Sequence, residues 1–147
     1  MKIFLAADHA GFLLKEKVKA WLKERGYQVF DEGNFTLDQT DDYPDFMKIV
    51  AKQVAGDPIL HRGLLFGGSG QGEAMAANRY GGVRAAVYYG HSKEILKLSR
   101  QHNDANVLSL GARFLNEREA LAAVKLWLVT LFSGEARHKR RIKKIDK

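Results

Sequence analysis

One glycine-rich stretch constrains the fold of this chain more than any other part of it. The apolar residues Leu64, Leu65 and Phe66 are followed by four glycines among the next six residues, at positions 67, 68, 70 and 72. A continuous apolar run is typical of a parallel strand that is covered on both faces. Glycines lack Cβ atoms, so the residues after the run can gather main-chain N–H groups around an anion at a helix N-terminus. The pattern predicts a strand, an anion-binding loop over residues 67–72, which we call the glycine loop, and a helix capped by Gly70.

Two standard glycine motifs do not fit the glycine loop. A dinucleotide fingerprint that begins at Gly68 requires Gly or Ala at the position of Glu73, and one that begins at Gly70 meets Met75. A P-loop requires a Lys directly after the glycines, and none is there. We therefore expect neither a nicotinamide cofactor nor a nucleoside triphosphate in this loop.

The carboxylate of Glu73 directly follows the glycine loop. A glycine-lined anion hole beside a carboxylate suits an enzyme that stabilises an enediolate while a general base moves a carbon-bound proton. The helix N-terminus would keep this carboxylate ionised, as a base requires. The alternative is that Glu73, three residues after Gly70, only caps its helix.

Predicted strands and helices alternate along the whole chain. Apolar runs predict strands at residues 2–7, 27–30, 64–66, 83–89 and 107–110, with helices at about 12–25, 43–54, 74–80, 92–101 and 116–132. Asn116 is the expected cap of the last of these helices. With 46% hydrophobic residues the chain can bury a core as one domain over residues 1–147. The alternation is typical of a three-layer α/β/α doubly wound, Rossmann-like domain with a five-stranded parallel sheet.

Positive charge is concentrated at the C-terminus. The net charge is +7, and residues 134–147 hold seven Lys and Arg residues against two acids. We expect a basic C-terminal helix in which Arg137 and Arg141 share one face and can clamp a phosphate group. A nucleic-acid site would interleave aromatic residues with these charges, and the segment has none, so we expect no nucleic-acid partner. A solvated charged face is the remaining alternative.

The chain contains no cysteine, which excludes disulfides, cysteine-bound metals and thiol nucleophiles. The apolar run at the N-terminus is too short for a signal peptide or a membrane span, because Asp8 and His9 interrupt it. We therefore expect a cytoplasmic protein without a membrane partner.

Polar residues fall at two opposite edges of the predicted sheet. Asp8 and His9 follow the first strand and lie with the glycine loop at the carboxyl edge, where open parallel sheets bind ligands. His102 and Asn103 precede the last strand and lie at the amino edge, and a five-residue strand spans about 17 Å. A site that uses both groups must therefore be shared between subunits, which predicts a homodimer. Asp8 can alternatively cap the helix that follows it.

Together these residues resemble the type B ribose-5-phosphate isomerase family, whose relatives include galactose-6-phosphate isomerase subunits and allose-phosphate isomerases. The matching stretches follow the family's order, at residues 8–11, 42–46, 67–73, 76–78, 102–106 and 111–113, and at Arg137, His138 and Arg141. Many members place a cysteine at the position of Gly67 and a hydrophobic residue at that of Glu73. A second branch lacks the cysteine and uses the glutamate, and this cysteine-free chain resembles that branch.

The resemblance implies a cofactor-free and metal-free aldose–ketose isomerase of the pentose phosphate pathway, which interconverts ribose 5-phosphate and ribulose 5-phosphate through a cis-enediolate. Glu73 would move the proton between C1 and C2, and His102 would assist ring opening with Asp8. The N–H groups of residues 68–72 would stabilise the enediolate oxygen, and Ser69 would relay a proton. Ser69 can alternatively be a loop residue selected for its size.

The resemblance also implies how a substrate would bind. Asn103 would hold sugar hydroxyls, and the phosphate would be bound by His9, Arg113, Arg137 and Arg141. The remaining residues expected at the substrate are Tyr43, Gly68, Gly70, Gln71 and Gly72. Alternatively, Arg113 is merely solvated or paired, and Tyr43 merely packs. His61, His91 and His138 are assigned structural roles.

The expected assembly is a homodimer or a dimer of dimers with shared sites and the basic helix on the partner. Two rival functions stay open. One is an isomerase of a six-carbon sugar phosphate, because the chemistry at C1 and C2 is the same and only the pocket length differs. The other is a non-catalytic protein that binds a sugar phosphate or nucleic acid.

Overall fold

The computed structural model describes residues 1–146, in which five strands alternate with helices. The strands are β1 (Lys2–Ala7), β2 (Gln28–Asp31), β3 (His61–Gly67), β4 (Ala85–Tyr88) and β5 (Val107–Gly111). The helices are α1 (Phe12–Glu24), α2 (Tyr43–Gly56), α3 (Gln71–Ala77), α4 (Lys93–Gln101), α5 (Glu117–Val129) and α6 (Ala136–Ile145). None of these helices is long and apolar enough to cross a membrane.

All strand pairs are parallel, in the order β2-β1-β3-β5-β4. The apolar run of β3 lies at the centre, where Leu64 is aligned with Leu5 of β1 and with Leu108 of β5. Successive side chains of the strands point to opposite faces of the sheet, so each face packs into its own hydrophobic core. Helices α1, α4 and α5 cover one face, and α2 and α3 cover the other. The predicted three-layer fold and its five-stranded parallel sheet are confirmed.

Several predicted boundaries were wrong by a few residues. Helix α3 begins at Gln71 rather than at residue 74, because Gly70, with φ +78°, turns the chain into the helix at once. It ends at Ala77 rather than at residue 80. The side chain of Asn78 there accepts a hydrogen bond from the N–H of Ala85 (2.8 Å) and donates one to its carbonyl (3.1 Å). These two hydrogen bonds join the end of α3 to the start of β4. Strand β4 is itself shorter than the predicted residues 83–89.

A side-chain cap sets the start of α5. Asn116 caps α5 through a capping box with Glu119, as predicted for Asn116. Helix α5 stops at Val129 rather than at residue 132, because Thr130 adopts an extended conformation. The basic helix α6 forms as predicted, and Lys147 lies outside the described residues.

Candidate active site

Hydrogen bonds from β5 and its extension hold the glycine loop in place. The buried hydroxyl of Ser109 donates to the carbonyl of Gly70 (2.7 Å). The N–H of Ala112 donates to the carbonyl of Gly67 (2.8 Å), and the N–H of Arg113 donates to that of Gly68 (3.1 Å). These contacts engage the carbonyl groups of the loop.

The N–H groups of the glycine loop have few partners. Within residues 1–146, those of Gly68, Ser69 and Gly70 donate no hydrogen bond. The hydroxyl of Ser69 accepts one from the N–H of Gln71 (3.3 Å), so it supports the turn, while both side chains are exposed. The loop therefore presents unpaired donors at the carboxyl edge, as an anion site requires.

Glu73 is a buried acid in the first turn of α3, only 4% exposed. Its carboxylate lies against Gly67, where a methyl group would collide with it. Among residues 1–146 the carboxylate accepts no hydrogen bond from the N–H of Gly70, so it does not close a capping box. Burial raises the pKa of Glu73, and the charge of Asp8 raises it further. The helix N-terminus was expected to favour the ionised form of this group, and its burial acts in the opposite direction.

Asp8 lies at the end of β1, close to Glu73. Its N–H donates to the carbonyl of Phe66 (3.2 Å), which joins the ends of β1 and β3. The buried Asp8 carboxylate accepts a hydrogen bond from the N–H of Gly11 (2.9 Å). Asp8 therefore closes the turn before α1, but the alternative that it caps the helix was wrong, because the N-cap of α1 is Gly11 and no side chain caps it. Gly11 has to be glycine, because a methyl group there would collide with the main chain of Phe66.

His9 forms an ion pair that sequence reasoning missed. Its Nδ1 lies 2.7 Å from the carboxylate of Asp41, which also accepts the N–H of His9 (3.2 Å). The hydrogen bond to Asp41 raises the pKa of His9 above its ordinary value of 6.5, and the charge of Asp8 adds to this effect. The acid-rich loop over residues 31–42 was the only signal for Asp41, and it does not single out one carboxylate.

Two further predicted residues lie beside the glycine loop. A methyl group at Gly72 would collide with the ring of Tyr43, and one at Gly68 would lie 3.2 Å from Cζ of Arg113. Tyr43 begins α2, and Arg113 follows β5. At the carboxyl edge, Tyr43 and Arg113 thus lie beside the glycine loop, although they come from elements that are distant in sequence.

His102 and Asn103 lie at the amino edge, as the position before β5 predicted. The pairing runs from Val107 beside Gly63 to the other end of β5 at the glycine loop, so the length of the strand separates the two groups. The ring of His102 stacks on that of His138, with centroids 4.3 Å apart and planes at 13°. Burial lowers the pKa of His138, which favours the neutral form of the ring that lies against His102.

Arg84 holds the turn that carries these residues. Its Nε donates to the carbonyl of Asn103 (3.0 Å) and to that of Asp104 (3.1 Å). This arginine, just before β4, was not identified from the sequence, because its partners are nearly twenty residues away. A cleft of about 560 Å³ opens beside it and is lined in part by Asn103 and Asp146.

Arg137 and Arg141, two of the three arginines of α6, are exposed at this amino edge. Arg137 donates to the carboxylate of Glu135 (2.8 Å), and Arg141 lies one turn further along the helix. Between them, His138 points inward onto His102. We therefore define two candidate half-sites on one chain. The carboxyl half-site consists of Asp8, His9, Tyr43, the glycine loop, Glu73 and Arg113, and the amino half-site consists of His102, Asn103, Arg137 and Arg141.

A model of the ribose/galactose isomerase family matches residues 3–145. The chain belongs to this family. Ribose-5-phosphate isomerase B of Mycolicibacterium paratuberculosis is 42% identical over 142 residues, which cover 97% of this chain and 87% of the relative. The Escherichia coli protein of the same name is 40% identical over 144 residues, covering 98% and 93%.

Solved structures agree with the family assignment. Ribose-5-phosphate isomerase B from Mycoplasma genitalium, solved with bound ribulose-5-phosphate, superimposes with a TM-score of 0.94 at 41% identity. The match covers 99% of this chain and 93% of that one. The resemblance drawn from the sequence motifs is confirmed, and so is the Rossmann-like fold that it implied.

Proposed function

We propose that this protein is an aldose–ketose isomerase that interconverts ribose 5-phosphate and ribulose 5-phosphate through a cis-enediolate. One observation carries the proposal: the buried carboxylate of Glu73 lies beside a loop in which the N–H groups of Gly68, Ser69 and Gly70 have no acceptor in residues 1–146. Relatives about 40% identical over nearly the whole chain carry the name of this activity, and one was solved with the ketose.

Glu73 is the proposed general base. Its raised pKa makes the carboxylate a stronger base than an exposed glutamate, and it is ionised wherever the pH exceeds that value. It takes the proton from C2 of the open-chain aldose and returns it to C1. Activity is therefore lost as the pH falls through the raised pKa, because the protonated acid cannot accept the C2 proton.

The glycine loop is the proposed oxyanion hole. While Glu73 holds the proton, negative charge develops on the oxygen at C1, and preorganised N–H donors stabilise it at little reorganisation cost. Conversion to the ketose also moves a proton from the C2 oxygen to the C1 oxygen. The exposed hydroxyl of Ser69, which accepts from Gln71 but has its own proton to donate, is the proposed relay.

The proposed site needs both half-sites, and so it needs two subunits. We assign His102 to ring opening with Asp8, and Asn103 to sugar hydroxyls. The phosphate lies between His9 and Arg113 of one chain and the α6 arginines of the other. Exposed apolar residues flank both half-sites, such as Met75 on α3 (63% exposed) and Ile145 on α6 (62%), and their burial in a dimer is favourable.

A dimer and a dimer of dimers both supply the two subunits that the proposed site needs.

The remaining predicted substrate contacts are Tyr43, which packs on the glycine loop, and Gln71. We propose the pentose phosphate pathway as the setting of the reaction, and the cytoplasmic location stays a prediction from the sequence.

The test is turnover of ribose 5-phosphate, allose 6-phosphate and galactose 6-phosphate by purified protein that has been treated with a metal chelator. We expect ketose formation that the chelator does not reduce, with the highest kcat/KM on ribose 5-phosphate. Glu73→Gln protein purified in parallel measures any contaminating isomerase. A higher kcat/KM on a six-carbon substrate would support the six-carbon isomerase, and no turnover by a folded protein would contradict the proposal.

A further inference from the structure

Asp41 anchors a polar network that the proposed chemistry does not use. It lies at the end of the loop between β2 and α2, and its side chain is only 3% exposed. The carboxylate accepts three hydrogen bonds, from the N–H of His9 (3.2 Å), from Nδ1 of His9 (2.7 Å) and from Nδ2 of Asn34 (3.1 Å). A buried carboxylate is costly unless it is paired, and this one is paired on both oxygens.

The loop around Asp41 is tied to α1 by a buried lysine. Nζ of Lys15, a fully buried residue, donates to the carbonyl of Asn34 (2.6 Å) and to the carboxylate of Asp31 (2.7 Å). Asn34 in turn donates to Asp41, so the connection from α1 to His9 is continuous. These contacts hold the Asp41 carboxylate in position before any ligand binds.

This arrangement determines which nitrogen of His9 faces outward. An ionised carboxylate only accepts hydrogen bonds, so Nδ1 of His9 is the donor to Asp41. Nε2 has no partner among residues 1–146, and the side chain is 29% exposed at the carboxyl edge. A ring oriented in this way presents its second N–H group to an anion.

We propose that Asp41 is a positioning residue, which orients the His9 imidazole with Nε2–H toward the substrate phosphate and favours its cationic form. The inference rests on the proposed function, in which His9 binds that phosphate. It assigns to Asp41 an effect on phosphate affinity rather than on the movement of the carbon-bound proton.

The charges around His9 set the direction of the pH effect. Asp41 and Asp38 face it from the β2–α2 loop, Asp8 from the end of β1, and Arg113 from the end of β5. The hydrogen bond to Asp41 raises the pKa of His9 most, the charge of Asp8 also raises it, and Arg113 lowers it. A phosphate monoester is dianionic above about pH 6. Because the cation persists up to the raised pKa, Asp41 widens the pH range in which the cation and the dianion coexist.

An NMR titration of the histidine side chains tests this effect without any need for activity. His9 is assigned by comparison with His9→Gln, which removes one of five histidine signals. We expect His9 to titrate above 6.5 in the wild type, at lower pH in Asp41→Asn, and near the wild-type position in Asp41→Glu. An equal pKa in the wild type and Asp41→Asn would overturn the proposal. If Asp41→Asn does not fold, a His9 pKa in Asp41→Glu at or below 6.5 does the same.

Steady-state kinetics supply the second measurement. Asp41→Asn should raise KM for ribose 5-phosphate by about tenfold at pH 8, the loss expected for one charge-assisted hydrogen bond, with little change in kcat. The increase should shrink toward pH 6, where His9 becomes protonated in the variant as well. Asp45→Asn is the matched control, because it removes the same charge from an exposed pair with Lys48.

A KM increase of equal size at every pH, or a fall in kcat at constant KM, would overturn the proposal, since a structural role alone predicts those results. Failure of the proposed function has a different signature. In that case the wild type does not turn over ribose 5-phosphate, while the NMR titration still decides whether Asp41 controls His9.

Discussion

The carboxylate of Glu73 occupies the space that a side chain at position 67 would fill. Gly67 ends β3, and even a methyl group there would collide with the carboxylate oxygens. The resemblance drawn from the sequence implies that the branches of the family differ at these two positions, with cysteine at the first or glutamate at the second. The collision gives a physical reason for this division, because the two side chains compete for one volume.

Gly67→Ala should therefore displace the proposed base. We expect kcat to fall at least about tenfold, since a misplaced catalytic group loses its alignment with the substrate. The free energy of unfolding should fall by about 1–3 kcal/mol from overpacking. Kinetics and denaturant unfolding measure the two effects. Gly81→Ala is the control, because a methyl group there meets nothing within 4 Å. Unchanged kcat in a folded Gly67→Ala protein would mean that Glu73 is not the base.

Glu73→Gln should reduce kcat by about 10²–10⁴, the usual contribution of a general base, while KM stays within a few-fold of the wild type. The amide keeps the shape of the side chain but cannot accept the C2 proton. Glu117→Gln removes the same charge from an exposed position in the first turn of α5 and should leave kcat unchanged. Exchange of the C2 proton with solvent deuterium provides a direct readout, and persistent exchange in Glu73→Gln would contradict the assignment.

The same substitution should stabilise the protein in a pH-dependent way. The folded pKa of Glu73 is raised, so ionisation of this carboxylate costs more in the folded state than in the unfolded chain. Wild-type stability is therefore lost as the pH rises from the unfolded pKa through the folded one, and glutamine escapes this loss. We expect a higher Tm for Glu73→Gln at pH 7 and a difference that narrows toward pH 4. A Tm difference that stays constant from pH 4 to pH 7 would show that folding does not raise the pKa of Glu73.

Mixing two inactive variants tests the shared site. Glu73→Gln and His102→Ala each disable one half-site, and a mixed dimer would contain one intact pair. After complete subunit exchange at equal amounts, we expect activity to recover to about one quarter of the wild type, as a two-fold symmetric dimer requires. Mixing Glu73→Gln with itself is the blank. If exchange is verified by mass and activity stays absent, Glu73 and His102 do not act in a common site.

Much of the fold followed from local patterns. The apolar run at residues 64–66 predicted the central strand, and the glycines after it predicted the turn into α3. Asn116 predicted the start of α5, and its capping box formed as expected. Helix ends were less predictable. Asn78 ends α3 through a bridge to Ala85, a contact that depends on where β4 lies.

The candidate site was predictable only in outline. The order of strands along the chain placed Glu73 at one edge of the sheet and His102 at the other, because the carboxyl ends of parallel strands share an edge. The contacts of Asp41 and Arg84 were not predicted, because neither the spacing nor the sequence neighbours of a charged loop residue indicate which residue it pairs with. Both assignments came from contacts between residues that are 32 and 19 positions apart.

The sequence by itself determined the alternation of strands and helices, the glycine loop, and the separation of the two half-sites, because hydrophobic periodicity and glycine content act over a few neighbouring residues. Only the tertiary structure decided the burial of Glu73, the direction of its pKa, the pairing of His9 with Asp41 and the stacking of His102 on His138. These properties depend on which side chains the packing of distant elements brings together and on how much water it excludes. The set of contacting side chains and the amount of excluded water are both fixed only when the sheet and its two helical layers have assembled.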